Sequence, residues 1–179
     1  MTSFETDFSG TRVGVATRVR FGWAATALYV LFEASGAGLH VDTARPTDIE
    51  RDKLYEEDCV ELFIAPDAAS PDRYFEIELG PFGHFFDLAV HKGEKGDTGW
   101  PAQMQVGSTR DRAAGVYTVE VAIESPDVTR VLTAGARLPL GIYRMEGRPP
   151  RRYLAWSPPR TPKPSFHEPQ AFGVLVLEP

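Results

Sequence analysis

Cysteine is nearly absent from this chain. The single Cys59 excludes an internal disulfide and any metal centre built from several cysteines. Long apolar runs are missing as well, none approaching the roughly 20 residues that span a bilayer. A basic excess is lacking, since 19 Lys and Arg stand against 25 Asp and Glu for a net charge of -6. A general nucleic-acid binder would want a basic face to neutralise phosphates, so that class is set aside. The catalytic signatures G-x-S-x-G, G-x-G-x-x-G, H-E-x-x-H and the P-loop are all missing. His40, His84, His91 and His167 are scattered through the chain, which suggests no metal centre. The stretch from Met1 to Gly10 is polar and has no apolar segment of the signal-peptide type. A cytoplasmic location is therefore expected for the sequence as given, although an exported form with a trimmed signal would read the same.

What is present is an ordinary globular composition, 42% hydrophobic and 25% charged, which argues against wholesale disorder. At 179 residues the chain fits one domain, 1–179, with enough length to bury a core. Helical periodicity is nearly absent. Short β-branched and aromatic runs recur instead at Leu28–Glu33, Val60–Ile64, Tyr74–Leu79, Val116–Glu124, Ile142–Glu146, Tyr153–Trp156 and Phe172–Leu177. Most are bounded by Gly or Pro, and the 16 glycines and 15 prolines supply the turns. This pattern predicts an all-β, antiparallel β-sandwich of jelly-roll or immunoglobulin-like type. One helical turn is expected within Pro126–Thr133. Lys92–Pro101 and Arg148–Ser165 read as long surface loops.

Strand alternation assigns faces. If Val60, Leu62 and Ile64 point to the core, Glu61 and Phe63 point away. By the same rule Tyr74, Glu76 and Glu78 lie opposite Phe75, Ile77 and Leu79, and Glu120 lies opposite Val119 and Val121. Adding Arg144 and Glu146 from the Ile142–Glu146 run, one sheet face is expected to carry Glu61, Glu76, Glu78, Glu120, Arg144 and Glu146. Such a face is either solvated and patched with ion pairs, Glu61 with Arg144 among them, or a polar floor that hydrogen-bonds a hydroxylated ligand. Sugars need that combination of polar groups for hydroxyls and flat rings for C–H faces.

The run Leu54-Tyr55-Glu56-Glu57-Asp58-Cys59-Val60-Glu61-Leu62-Phe63-Ile64 resembles the central motif of family 9 carbohydrate-binding modules. Further pieces follow the family's order: Leu28-Tyr29-Val30 with Trp23 before it, then Tyr117-x-Val119-Glu120-x-Ala122-Ile123. The closing pieces are Trp156-Ser157-Pro158, Ser165-Phe166-His167-x-Pro169 and Phe172-Gly173-x-Leu175. Together they cover Val13 to Leu177. The resemblance implies a sugar held between two aromatic rings, carried here by Tyr55 and Phe166 where the family usually has tryptophans. It puts the hydroxyl-gripping carboxylate on Glu61, and further ligand contacts on Glu76, Glu78, Arg144 and Glu146. It also implies a non-catalytic protein with a carbohydrate as partner. Calcium enters by the same route, because family members often carry it structurally, with Asp58 as the candidate ligand. Asp58 reads equally well as a turn cap, and no acidic spacing nearby matches an EF-hand loop.

Other residues carry competing readings. Trp23 and Trp156 sit in strand patterns and are expected in the core, whereas Trp100, beside Pro101 in a polar loop, is expected to be exposed and is a second stacking candidate. Cys59 lies in an acidic setting and reads as a buried structural thiol. Three alternatives to sugar binding stand beside it. One is a protein-interaction face. The second is haem held by Met104 with His84 or His91. The third is glycoside hydrolysis by Glu61 with Glu78 or Glu120.

Overall fold

A computed structural model describes every residue of the chain except Ala37. Among the described residues eleven strands form two antiparallel sheets. The first sheet runs β1 (Thr2–Thr6), β2 (Arg12–Ala24), β3 (Ala27–Ser35), β8 (Val116–Ile123), β7 (Met104–Asp111). The second runs β10 (Arg152–Ala155), β9 (Arg137–Glu146), β4 (Cys59–Ile64), β5 (Arg73–Leu79), β6 (Phe85–His91). The last strand, β11 (Gly173–Val176), pairs with the first half of β9, while β10 pairs with its second half. The expected sandwich is thus present, and each strand run named from the sequence overlaps an observed strand. The expected helical turn is the short α1 (Pro126–Thr129), whose first turn is capped by the Ser125 hydroxyl accepting from the Asp127 amide. No helix among the described residues is long and apolar enough to cross a membrane.

The space between the sheets holds Val19, Leu28, Val30 and Phe32 from one side and Val60, Leu62, Ile64, Ile77 and Leu79 from the other. Alternation turns the five named residues of the second sheet inward, as observed. A second apolar cluster lies on the outer face of the second sheet. There Phe63, Tyr74, Tyr143 and Met145 are covered by Leu54, Phe166 and Phe172. The chain segment after β10 folds back over this face, so β4 is buried along its whole length instead of on alternate residues. Trp100 corrects its sequence expectation. It is buried, stacks on Phe75 with ring centroids 4.1 Å apart, and donates from Nε1 to Asp127 Oδ2 at 3.0 Å. A polar loop sequence hides such a residue because a single aromatic anchor can pin an otherwise solvated segment. Trp23 and Trp156 pack against the core, as expected.

Candidate functional site

The covered outer face is floored by three strands in fixed register. Glu61 on β4 stands opposite Glu78 on β5 and opposite Tyr143 on β9. Phe63 stands opposite Glu76 and Gly141, and Cys59 opposite Met145. Gly141 has a steric purpose here. A Cβ at that position would come within 2.6 Å of Tyr143 Cε2, so only glycine lets the tyrosine ring lie back along its own strand. The face of Tyr143 so exposed is stacked by Phe166, with centroids 4.1 Å apart and planes 8° from parallel.

Above this floor opens a cleft of about 610 Å³, lined in part by Tyr55, Glu61, Glu76, Tyr153, Phe166 and His167. Tyr55 is the exposed one of the cleft's tyrosine and phenylalanine rings, 44% accessible, and rides on a single 3-10 turn over Leu54–Glu56. Arg151 fastens that turn by donating to the backbone carbonyls of Tyr55 at 2.7 Å and Gly147 at 3.1 Å. Arg51, itself buried, pairs with Glu57 just beyond the turn. At the cleft's other side His167 Nδ1 and Tyr74 Oη share a hydrogen bond of 2.6 Å. The His167 ring lies over Phe63 at 5.3 Å.

The electrostatics of the floor are unusual. Glu61, Glu76 and Glu78 are all buried side by side. Burial, reinforced by the neighbouring Glu78 and Glu76 charges, pushes the Glu61 carboxyl well above the usual carboxylate range. Burial also raises Glu78, with Glu76 adding to it, and raises Glu76. The Cys59 thiol is driven up by burial and then by Glu61 and Glu78. His167 moves the other way, because its burial disfavours the imidazolium. Glu76 Oε2, Glu78 Oε2 and Tyr143 Oη lack any hydrogen-bond partner among the described residues. Buried acceptors left open in this way are costly and are rare in folded proteins. Chemically the floor presents neutral-leaning carboxyls, able to donate as well as accept, beneath flat apolar rings.

Of the residues predicted from sequence, Tyr55, Glu61, Glu76 and Phe166 line this one cleft, and Glu78 lies beside Glu61 on its floor. Other predicted residues do not belong. Arg144 stands opposite Val60, and with Ile142 and Glu146 it points between the sheets, away from Glu61. Its Nη1 reaches the Ala16 carbonyl and Thr17 Oγ1 at 3.3 Å, and its Nη2 lies 3.4 Å from Glu146 Oε1. Arg144 and Glu146 therefore leave the proposed ligand set, and the Glu61–Arg144 ion pair is ruled out. The reason is strand parity: Arg144 and Glu146 share the face of the core residue Ile142. Glu120 does point outward, but from β8 in the other sheet. Asp58 is buried with both oxygens engaged, Oδ1 by the Gly147 amide at 2.6 Å and Oδ2 by the His40 amide at 3.1 Å. That is capping geometry. His84 is buried with Nε2 on the Arg45 carbonyl, and His91 pairs with Glu94.

Sequence reasoning missed Tyr143, Tyr153, Met145 and His167. Tyr143 was legible in principle, since the Gly141-x-Tyr143 spacing is the trace of a ring that needs an empty neighbour. Lys163 and Ser165 also reach the cleft, from a proline-rich loop whose path no local pattern reveals.

This geometry can be set beside known proteins. Two solved structures of a family 9 carbohydrate-binding module from Caldicellulosiruptor kristjanssonii, one with glucose and one with cellotriose, superpose with TM-scores of 0.70 and 0.69. Each is 15% identical, and the matches cover 99% and 98% of this chain and 84% and 82% of the others. A Bacteroides uniformis protein ascribed a carbohydrate-binding role matches with TM-score 0.75 and 17% identity, over 97% of this chain and 84% of that one. At such identities the likeness is one of fold. No curated protein matches the sequence. The family model described as carbohydrate family 9 binding domain-like matches residues 2–179, and the chain belongs to that family.

Proposed function

We propose that this protein binds a neutral mono- or oligosaccharide in the cleft over β4, β5 and β9 and performs no chemistry on it. The observation that carries the reading is the buried Glu76 Oε2, without a hydrogen bond and with only His167 Nδ1 near it at 3.8 Å, in a cleft whose walls include Tyr55, Tyr153 and Phe166. A ligand with hydroxyls beside a flat C–H face satisfies both features at once. The cleft volume of about 610 Å³ suits one to a few sugar rings. Family membership and the sugar complexes of the Caldicellulosiruptor module support the same reading.

Tyr55 serves as the open stacking ring and Phe166 as a wall held rigid by Tyr143. Glu61 and Glu76 bond hydroxyls. Hydrolysis is disfavoured because its two carboxyls must flank the glycosidic bond. Glu61 and Glu78 instead stand side by side on adjacent strands, and Glu78 is only 1% accessible.

The test is a glycan-array screen of wild type, Tyr55→Ala and Glu61→Ala, followed by calorimetry on any hit. Binding by wild type that weakens in both variants supports the cleft. A confirmed glycan bound equally well by both variants places the site elsewhere. Silence across a broad array with a folded protein favours a protein-interaction role for this face.

A further inference from the structure

We propose that the floor of the cleft is also a metal site, in which Cys59 Sγ and the carboxylates of Glu61 and Glu78 ligate one thiophilic divalent cation of the zinc class. Their ligand atoms all lie within 4.8 Å of one another. Tetrahedral zinc, with bonds of about 2.0–2.3 Å, wants such atoms roughly 3.5 Å apart, so small side-chain rotations close the site. The backbone already supplies the arrangement. Cys59 and Glu61 are two residues apart on one face of β4, and Glu78 faces Glu61 across the β4–β5 ladder.

Among the described residues no ion pair reaches Glu61 or Glu78, whereas the buried carboxylates Asp58, Asp87 and Glu146 are engaged by backbone amides or by arginine. Arg144 lies on the far side of the sheet, and Arg151 spends its guanidinium on backbone carbonyls. A second observation points to a ligand independently of the spacing. Glu78 Oε2 sits on this floor at 1% residue accessibility with no hydrogen-bond partner, whereas Glu76 Oε2 beside it has His167 Nδ1 at 3.8 Å. The thiol donor of the cluster, Cys59 Sγ, is turned to Glu61 Oε1 at 3.8 Å, so the Glu78 acceptor needs either a proton of its own or a cation.

The donor set selects among cations. One sulfur with two carboxylates suits zinc. Calcium wants six to eight oxygens and magnesium a near-ideal octahedron, which three side chains including a thiol do not provide. Met145, across the ladder from Cys59 on the same face, adds a second sulfur to the surroundings. Glu61 also lines the cleft, so a cation held here would share that residue with the sugar site.

The experiment uses the full, tag-free chain after chelator treatment and dialysis, with no sugar present, so it stands apart from the glycan screen. Zinc chloride is titrated by calorimetry, and cobalt(II) is added in parallel to read sulfur-to-cobalt charge transfer in the near ultraviolet. The expected result is one zinc per chain, a charge-transfer band, and a rise in melting temperature with zinc. Cys59→Ser should abolish the band and weaken zinc binding by more than about tenfold, as loss of even outer-shell partners can do. Glu78→Gln, which keeps the shape of the site, should weaken zinc binding comparably. Absence of stoichiometric zinc in wild type, or a cobalt spectrum unchanged in Cys59→Ser, would overturn the proposal. Saturation with calcium but not zinc would overturn it too.

Discussion

Two buried groups of charged residues lie back to back across the second sheet, and they solve the same problem in opposite ways. On the inner face Arg144 is neutralised by Glu146, which in turn meets Arg152 at 2.6 Å. Tyr117 lies beneath the Arg144 guanidinium at 5.5 Å, a cation–π contact. On the outer face Glu61, Glu76 and Glu78 stand together with no basic side chain paired to Glu61 or Glu78, under a cleft that opens to solvent. Burying charge is costly on either face. The inner group offsets that cost by pairing opposite charges, although Arg144 Nε and Tyr117 Oη lack hydrogen-bond partners among the described residues, so its role is structural. The outer group leaves acceptors open, and an open buried acceptor is where a ligand gains most.

The sharpest way to break this contrast is to remove the inner cation. Arg144→Met keeps the aliphatic bulk but leaves Glu146, beside the core, with Arg152 as its remaining partner. Breaking a buried pair from one side costs about 3–5 kcal/mol when the survivor is left unpaired, and with Arg152 in place urea denaturation should register a loss toward the lower end of that range. Glycan binding by the protein that remains folded should persist, because Arg144 points away from the cleft. Binding lost with the fold intact would show that the two faces are not independent.

Tyr55 sharpens the contrast from the other side. Being exposed on its turn, it contributes little to the core, and Tyr55→Ala should change stability by no more than about 0.5 kcal/mol. Its loss should cost binding about 1–2 kcal/mol, the scale of a truncated aromatic contact. Calorimetry with the array-selected glycan and thermal unfolding of the same sample read both numbers. A variant that loses stability but not affinity would make Tyr55 a loop anchor instead of a stacking ring.

Much of this architecture was legible in the residues. The strands with strict alternation, such as Tyr74–Leu79 and Val116–Ile123, declared both their existence and their inward faces. The strands not singled out were β1, β2, β6 and β7, of which β1, β6 and β7 are sheet edges. Edge strands carry polar residues and glycines such as Gly107 because one side of their ladder meets solvent, and that composition blurs the period. Alternation also tells inside from outside within a strand without saying which sheet the strand joins. Glu120 was therefore rightly turned outward and wrongly grouped with Glu61. Arg144 failed for another reason: charge suggested the surface, while its parity with Ile142 put it inside. The covered outer face was illegible locally, since it depends on Phe166 and Phe172 folding back across more than eighty residues of sequence onto Phe63 and Tyr74.

The smallest expected effect is the one that most directly weighs the open cluster. In metal-free protein, Glu78 has a folded-state pKa above its unfolded value. The folded form therefore holds its proton more tightly, and the stability that proton provides is fully present below the ordinary carboxylate range. It is lost as pH rises through the raised value. Replacing Glu78 by Gln removes the charge and preserves the shape, so the variant should escape that loss. With chelator present, Glu78→Gln and wild type should melt close together at pH 5, and the variant should gain progressively toward pH 9. A gain on the order of 1 kcal/mol corresponds to about 2–4 °C for a chain of this size. A gap that stays flat with pH would mean the outer carboxyls are already compensated, and the difference between the two faces would then lie in access to solvent and not in charge.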